Sequence, residues 1–281
     1  MAAKAKEPNP ADLKAIFGLE PAKAIDYLKG KGYAITWDWQ EMLDQAHDQA
    51  FTVAKAMCLD LLSDIREALE TALQKGQTLK QFTEALQPTL ETQGWWGKQV
   101  IVDSQGVGEL VQLGSPRRLQ TIYQTNLQSA YMAGRKASME ETADTHPYWM
   151  YVAILDGKTR PSHRALHGKV FRHDDPIWSS IFPPNGFNCR CRVTALTEAA
   201  VKRRGLAVMS SQGLSFNDTV EIGTNKRTGE IRTASVTGLR LTDQGGKPIT
   251  FRTDPGFNHA PGTGLADALQ RKQAAAGLDE V

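Results

Sequence analysis

Two histidines and two cysteines in the middle of the chain are the side chains best suited to bind a metal ion. His163 and His167 are four residues apart in a segment that begins at Pro161, so they share one face of a predicted short helix. Cys189 and Cys191 follow a proline-rich loop. Zinc prefers imidazole and thiolate ligands, so the four residues define a candidate structural zinc site. Cys-x-Cys is not the usual Cys-x-x-Cys knuckle, and this spacing favours the alternative, a metal-free knot of buried cysteines and hydrogen-bonded histidines.

The redox state of the thiols follows from the cysteine count and the N-terminal sequence. Cys58 is the third cysteine, and its place near an apolar helix face predicts a small buried side chain. A disulfide between Cys189 and Cys191 is disfavoured because its ring would be strained. The N-terminal residues contain no apolar h-region of a secretion signal. We therefore expect a reducing compartment, free thiols and no bound cofactor other than the candidate zinc.

Short elements must position these ligand-type residues. The apolar run Trp149–Leu155 has the length of a buried strand, and Asp156-Gly157 ends it with a turn signal. Thr159 can cap a helix that Pro161 begins and Gly168 ends. The remaining predicted elements are a short strand over 169–171, a rigid Pro-Pro-Asn-Gly segment over 183–186 and a strand over 192–196.

We expect this stretch to be the structural centre of the protein. Within it, Asp156 and Arg160 are predicted to pair or to cap backbone groups. The full predicted set of structural residues is Asp156, Thr159, Arg160, Pro161, His163, Gly168, Pro183, Pro184, Cys189, Arg190 and Cys191.

Catalytic motifs are absent from the sequence. It contains no Walker loop, Gly-x-Ser-x-Gly, His-Glu-x-x-His or dinucleotide fingerprint. The strongest enzyme hypothesis combines Asp156, His163 and Asn188 with a metal ion, as in a metal-dependent nuclease. Asn188 lies in a proline-braced loop, where the ordinary role of an asparagine is to form a turn. The sequence therefore predicts a protein that is not an enzyme.

The order of residues from Asp156 to Val193 resembles a known family. The runs D-G-K-T-R-P-S-H-x-x-L-H-G, D-D-P-I-W and P-P-N-G-F-N-C-R-C-R-V are similar to the signature of the phage Mu F-like minor head proteins. The similarity covers about 120 to 196, with a weaker echo at Asp254–Phe257. The Mu F-like proteins belong to a larger group of phage head morphogenesis proteins. The resemblance therefore implies that this protein is a structural protein of the virion.

The resemblance also implies partners and a location. Proteins of this kind act in procapsid assembly near the portal, and some are packaged and ejected with the DNA. The implied partners are the portal protein and other head proteins, such as the scaffold or the major capsid protein, with phage DNA as a further candidate. The implied location is the virion head, and the host cytoplasm during assembly. No apolar run approaches the roughly 18 residues of a membrane span.

A second class of function remains open, a genome-associated DNA-binding protein or a metal-dependent nuclease or effector. The net charge of +2 gives no general case for DNA binding, so any contact must come from a local patch. The candidate basic patches are Arg117-Arg118, Lys202-Arg-Arg204 and Lys226-Arg227. A solvated surface is the ordinary explanation of such short clusters.

The whole chain is predicted to have an α+β fold with a helical N-terminal half, a compact central α+β domain and a small β-rich C-terminal extension. The composition, 41% hydrophobic and 23% charged, is that of a globular protein. The predicted divisions are an arm with short helices over 1–35, a helical region over 36–115, the Mu F-like core over 116–200 and a β-rich extension with a terminal helix over 201–281.

Helical periodicity is clearest in the N-terminal half. We predict one long helical region over Asp38–Gln74, a helix after Thr78, and a helix over Pro116–Ala137 capped by Ser115. The polar pair Thr125-Asn126 on that last helix is predicted to hydrogen-bond to the central stretch. Between the helices, Trp95 and Trp96 are candidate partner-binding residues; the alternative is that they cap the helix bundle.

Short strands separated by turn signals dominate the sequence beyond residue 205. Runs over 220–222, 231–236, 239–241 and 249–251 alternate with glycine-rich turns. A small antiparallel meander with so few apolar residues has little core of its own. We therefore expect it to pack on the central domain or on a neighbour.

Overall fold

The structure is a computed structural model that describes residues 22–102, 108–225, 228–243 and 245–263 of the 281-residue chain. Residues 1–21 of the predicted N-terminal division over 1–35, and the predicted terminal helix of the C-terminal extension, lie outside the described residues. The described part combines α-helices with small sheets, which confirms the α+β fold class. None of its helices is long and apolar enough to cross a bilayer.

The N-terminal half holds helices, a short parallel strand pair and a β-hairpin. Strands β1 and β2 pair through Gly32↔Ala50 and Tyr33↔Phe51. In chain order the elements are α1 (Ala22–Gly30), β1 (Gly32–Tyr33), a 3-10 turn (Trp39–Glu41), α2 (Ala46–Gln49), β2 (Ala50–Phe51), α3 (Leu59–Lys75), α4 (Leu79–Thr92), β3 (Lys98–Val102), β4 (Gly108–Gln112) and α5 (Pro116–Glu141).

The ends of helices α3 to α5 follow local sequence signals. Helix α3 ends at Gly76, which has the left-handed conformation at φ 62° that glycine adopts most readily. Helix α4 begins with a capping box between Thr78 and Gln81 and continues through Pro88. Helix α5 is capped by Ser115, whose Oγ accepts a hydrogen bond from Arg118 N at 3.3 Å, as the sequence predicted.

The prediction of one long helical region over Asp38–Gln74 is wrong, because α3 begins only at Leu59. Asp44 and Lys55 have positive φ angles of 51° and 67°, which a continuous right-handed helix excludes. Ala50 and Phe51 form strand β2 and pair with β1. This tertiary pairing overrides the helical apolar periodicity of the segment before Leu59. Cys58, predicted to be buried, is exposed just before the helix.

Helix α5 belongs to two hydrophobic cores. Its N-terminal part, from Leu119 to Ala133, packs with α1, α3 and α4 in the first core. Met132 and Met139 pack in the second core, which lies over the central sheet. A helix of 26 residues is about 39 Å long, so one element can join both halves of the chain.

A four-stranded sheet forms the centre of the protein. Its order is β7-β5-β6-β8, and its strands are β5 (Tyr148–Val152), β6 (Val170–Arg172), β7 (Arg192–Leu196) and β8 (Val208–Met209). Trp149 and Tyr151 face the second core, whereas Met150 and Val152 face a third cluster. Both faces of β5 are therefore covered, which explains its continuous apolar sequence. The accompanying helices are α6 (Pro161–Leu166), α7 (Trp178–Ile181) and α8 (Glu198–Arg203).

The C-terminal strands form an antiparallel meander that packs on the central unit. The order is β11-β10-β9, with β9 at Ser215–Thr224, β10 at Ile231–Thr242 and β11 at Pro248–Arg252. The two strands predicted over 231–241 are one, since β10 continues through Gly238, where the ring of Phe216 occupies the space of a side chain. Leu239, Leu241 and Phe251 lie in the second core, so the meander shares that core as predicted.

A buried carboxylate joins the N-terminal half to the segment that follows β11. Asp48 is fully buried and accepts hydrogen bonds from the Tyr27 hydroxyl at 2.6 Å and from Gly262 N at 3.1 Å. His259 Nε2 lies 3.6 Å from Asp48 Oδ1. Burial by itself raises the pKa of Asp48. The hydrogen bond and charge of His259, with the Tyr27 hydrogen bond and the charge of Lys31, outweigh burial and lower the pKa from 3.8 to about 2.

This junction predicts a loss of stability in acid. A carboxyl group whose pKa is lower in the folded chain stabilises the fold above its unfolded pKa, and this contribution disappears as the pH falls through the folded pKa. For Asp48 we expect the free energy of unfolding to fall by about 2 kcal/mol between about pH 4 and pH 2. Denaturant titrations across this range should show a shallower pH dependence in Asp48→Asn, and in His259→Gln if the first variant does not fold. An unchanged pH dependence in these variants contradicts the assignment.

Candidate functional site

The site begins at helix α6, which carries His163 into the second core. Pro161 occupies the first helical position, where its missing N–H leaves no bond unmade, as predicted. The N-cap residue is Arg160 and not Thr159. The His163 side chain is buried, and its ring centroid lies 5.3 Å from that of Phe251 on β11. Gly168 follows the helix with φ 77°, and its N–H donates to Tyr151 O on β5.

The proline-rich loop brings the cysteines to this helix. The Pro183–Pro184 peptide bond is cis. Asn185 is fully buried; its Oδ1 accepts from the Tyr151 hydroxyl at 2.9 Å, and its carbonyl accepts from Asp254 N at 3.0 Å. These bonds attach the loop to the central sheet and to the segment after β11. The chain then turns through Asn188, at φ 60°, toward the cysteines.

The two cysteines and one histidine form a buried cluster. His163 Nδ1 lies 3.6 Å from Cys191 Sγ and 3.8 Å from Cys189 Sγ. Among the described residues, these three form a group able to hold a metal ion, with ligand atoms all within 4.8 Å of one another. His167 is outside that group. Helix α6 ends at Leu166, so His167 does not share a helix face with His163 as predicted, and its Nδ1 accepts a hydrogen bond from Ala153 N at 3.2 Å. The structure thus brings together three of the four predicted metal ligands.

Hydrogen bonds within the cluster shift the pKa values of its two thiols in opposite directions. The hydrogen bond from Cys191, together with that from His163, outweighs burial and lowers the pKa of Cys189 well below its usual range. The hydrogen bond to Cys189 and burial raise the pKa of Cys191. Burial, followed by the proximity of both cysteines, raises the pKa of the adjacent Tyr151 hydroxyl well above its usual value.

Two ion pairs surround the cluster at the surface. Arg190 donates to both oxygens of Asp156 at 2.7 and 2.8 Å, and Asp156 Oδ1 also accepts from Lys158 N and Thr159 Oγ1. The hydrogen bond from Arg190 is the largest cause that lowers the pKa of Asp156. Arg160 pairs with Asp254 at 2.9 Å. Asp156 and Arg160 therefore each form an ion pair with a residue distant in sequence, on the exposed side of the cluster and not inside the centre where the sequence placed them.

A polar pocket of about 220 Å³ opens beside the cluster. It is lined by Lys158, Thr159, Arg160, His163, Phe187, Asn188, Cys189, Arg190 and Cys191. The nuclease hypothesis placed Asp156, His163 and Asn188 around a metal ion. Within the described part of the chain, Asp156 does not belong to the group of possible metal ligands, and Arg190 binds both of its carboxylate oxygens.

Two side chains on α5 hold the cysteine segment, and neither contact was predicted from the sequence. Gln128 Nε2 donates to Cys191 O at 2.8 Å, and Arg135 Nε donates to Val193 O at 2.5 Å. Residues seven apart share one helix face, so the spacing of Gln128 and Arg135 was the signal that the sequence offered. The predicted pair Thr125-Asn126 does not serve this purpose. Asn126 bonds Ile122 O within α5, and the buried Thr125 Oγ1 has no hydrogen-bond partner among the described residues.

The tryptophan corner mainly supports the fold. Trp95 is only 3% exposed, its Nε1 donates to Lys55 O at 2.8 Å, and the guanidinium of Arg118 lies 4.7 Å from its ring. This burial corrects the prediction that Trp95 binds a partner and agrees with the bundle-capping alternative. Trp96 is half-buried, packs against the first core and lies where a side chain at Gly114 would be.

Two residues of the basic patches, Arg118 and Lys202, have partners within the described part of the chain. Arg118 donates to three carbonyls, those of Gln112, Leu113 and Ala54. Lys202 pairs with Glu198 at 2.7 Å. Lys226-Arg227 lies outside the described residues. These contacts fit the interpretation of ordinary structural or surface charges.

Comparison with known proteins identifies the family. Residues 63–194, from α3 to β7, match the family described as Phage Mu protein F like protein. The chain is 50% identical over 267 residues to "Putative capsid assembly protein F" of Escherichia phage Mu, covering 93% of this chain and 59% of that relative. It is 46% identical over 229 residues to "Mu-like prophage FluMu F protein" of Haemophilus influenzae, covering 82% of this chain and 53% of the relative. No solved structure matches.

These matches place the chain among bacteriophage and prophage proteins. Within that class it belongs to the Mu F-like family, which confirms the resemblance carried by the residues from Asp156 to Val193. The chain spans only 59% and 53% of the length of the two relatives. The matched region includes the whole His163, Cys189 and Cys191 cluster.

The loop around the cluster depends on Gly186. A Cβ atom at this position would overlap the Asp254 carboxylate and the Arg160 guanidinium, which form an ion pair there. We expect Gly186→Ala to separate this pair and to lower the free energy of unfolding by about 1–3 kcal/mol, the usual cost of overpacking. Gly157→Ala is the matched control, since nothing lies within 4 Å of its Cβ position. Equal unfolding midpoints for the two variants would contradict this packing argument.

Proposed function

We propose that this chain is a structural component of a phage head and acts in capsid assembly. The observation that carries the proposal is the 50% identity, over 93% of this chain, to the Mu relative whose name is a capsid assembly protein. The chain spans 59% of that relative, so the function of the whole relative enters here as a proposal.

The mechanism that we propose is binding to other head proteins, without catalysis. The carboxylate of Asp156 is occupied by Arg190, and His163 is enclosed with two cysteines. Both arrangements suit a role in fixing the geometry of the central unit. The nuclease hypothesis required Asp156 as a metal ligand, and Arg190 binds both of its carboxylate oxygens instead. Proposed locations are the virion head and, during assembly, the host cytoplasm.

The described surface offers one apolar face suited to a protein partner. Val100, Val102 and Leu110 are 65%, 61% and 63% exposed on the same side of the β3–β4 hairpin. Val100 and Leu110 are direct cross-strand neighbours. The opposite side packs inward through Ile101 and Val111. Strands β3 and β4 form a two-stranded sheet, so the hairpin also presents backbone edges.

We assign this hairpin face to a contact with another head protein, with the portal protein as the proposed partner. Exposed apolar residues that cluster on one side of a small sheet mark protein interaction sites. The two-stranded sheet is attached to the first core by its inner side and by Trp96, so its outer side is held in a fixed orientation. Such support reduces the entropy cost of binding.

Particle composition tests the proposed function. We expect peptide mass spectrometry with copy counting to find the protein in purified heads, at few copies per particle and in the fraction that contains the portal. Its presence in mature virions as well would support retention in the head or ejection with DNA. Absence from both particles would contradict the structural role and would make the DNA-binding alternative the next hypothesis to test.

A charge substitution tests the hairpin. The double variant Val100→Lys with Leu110→Glu places opposite charges on neighbouring strands, so it should preserve the hairpin and remove only its apolar face. We expect incorporation into heads to fall by about tenfold or more, since burial of one such side chain contributes roughly 1.5–3 kcal/mol. Ile231→Lys, at a 56% exposed position on β10, is the matched control. Normal incorporation of the double variant would exclude this face as the contact.

A further inference from the structure

We propose that His163, Cys189 and Cys191 bind one zinc ion, with the fourth coordination position filled by a water molecule from the adjacent pocket. The ion would join helix α6 to the segment that leads into strand β7. This inference does not rest on the proposed function in capsid assembly, because it concerns the folded chain alone.

The spacing of the three ligand atoms fits a tetrahedral zinc ion. Zinc bonds of about 2.0–2.1 Å to nitrogen and 2.3 Å to sulfur at tetrahedral angles place the nitrogen and sulfur roughly 3.6 Å apart. The observed distances from His163 Nδ1 are 3.6 Å to Cys191 Sγ and 3.8 Å to Cys189 Sγ. The three atoms therefore surround a point that an ion can occupy with small adjustments.

The charge of the complex suits its buried position. All three side chains are buried, and an isolated charge at such a place is costly. Two thiolates, one neutral imidazole and Zn²⁺ sum to zero, so the filled site carries no net charge. The ligand types, one nitrogen and two sulfurs, favour zinc over calcium or magnesium, which prefer oxygen.

Elements outside the cluster hold the ligands in place. The ring of Phe251 packs against His163, and Gln128 on α5 fixes the carbonyl of Cys191. Gly186 O accepts a hydrogen bond from Cys189 N, and Asn185 attaches the same loop to Tyr151. Ligands that other contacts have already oriented lose little freedom when a metal binds.

The fourth ligand comes from the pocket side. His167 does not belong to the group of ligand atoms that lie within 4.8 Å of one another, and its Nδ1 accepts a hydrogen bond from Ala153 N. All three ligand residues line the polar pocket of about 220 Å³, together with Asn188, so an ion between them faces that space. A pocket of this size and polarity accommodates water.

Metal analysis of the wild-type 281-residue chain is the first test. After expression with added zinc and exhaustive dialysis, we expect about one zinc per chain. Replacement by Co²⁺ should give thiolate-to-cobalt charge-transfer absorption and the visible bands of a tetrahedral ion. A thiol reagent should modify Cys58 alone in the zinc form, because Cys58 is exposed, and all three cysteines after chelation.

Single substitutions then identify the ligands. We expect zinc binding to weaken by at least about 100-fold in each of three variants, Cys189→Ser, Cys191→Ser and His163→Gln. Loss of a residue that only supports a metal ligand can weaken binding by up to about 100-fold, and loss of a ligand itself should cost at least as much. Cys58→Ser and His167→Gln are matched controls that replace the same residue types outside the cluster, and both should retain the metal. Circular dichroism separates loss of zinc from loss of fold.

Three results would overturn the proposal. The first is wild-type protein that lacks zinc and whose thiol reactivity is unchanged by chelation, which would establish a metal-free knot. The second is a Cys189–Cys191 disulfide, detected as the mass difference of two hydrogens. The third is equal loss of zinc in the cluster variants and the controls. The wild-type measurements stand even if a cluster variant does not fold.

Discussion

The buried carboxylate of Asp48 is the interaction on which the arrangement of the chain depends. A carboxylate out of contact with water requires hydrogen bonds or charges, and here they come from α1, through Tyr27, and from the segment after β11. That segment is thereby fixed to the N-terminal half. Its other end reaches the cysteine loop, where Asp254 bonds Asn185 O through its backbone N–H and Arg160 through its side chain. One polar junction thus connects the first core with the surroundings of the cluster.

Helix α5 provides the second connection, through the apolar side chains on its buried face. Its N-terminal part completes the first core and Met139 enters the second. On the same helix, Gln128 and Arg135 donate hydrogen bonds to the carbonyls of Cys191 and Val193. The Cys-x-Cys segment therefore lies between a rigid helix and the central sheet. The family match extends from α3 to β7, which corresponds to the elements that build and support this centre.

Local signals made several parts of the structure predictable. Pro161 and Gly168 bound a short helix, Ser115 and Pro116 begin α5, and the apolar run after Tyr148 forms a strand covered on both faces. The same reasoning failed over Asp38–Gln74, where apolar periodicity suggested a long helix. Pairing of β1 with β2 and the burial of Asp48 determine the backbone there, and neither depends on the neighbours in sequence.

The sequence by itself determined the family, the α+β class and the group of histidine and cysteine residues at the centre, because these depend on residue identities and on spacings of a few positions. The tertiary structure decided which residues bond to each other within the chain. Arg190 binds Asp156 across 34 residues, and Gly262 binds Asp48 across 214. It also decided that His163 joins the cysteines whereas His167 bonds Ala153. A spacing of four residues predicts a shared helix face only if the helix continues, and α6 ends at Leu166, before His167; the packing of distant segments then determines which atoms each side chain contacts.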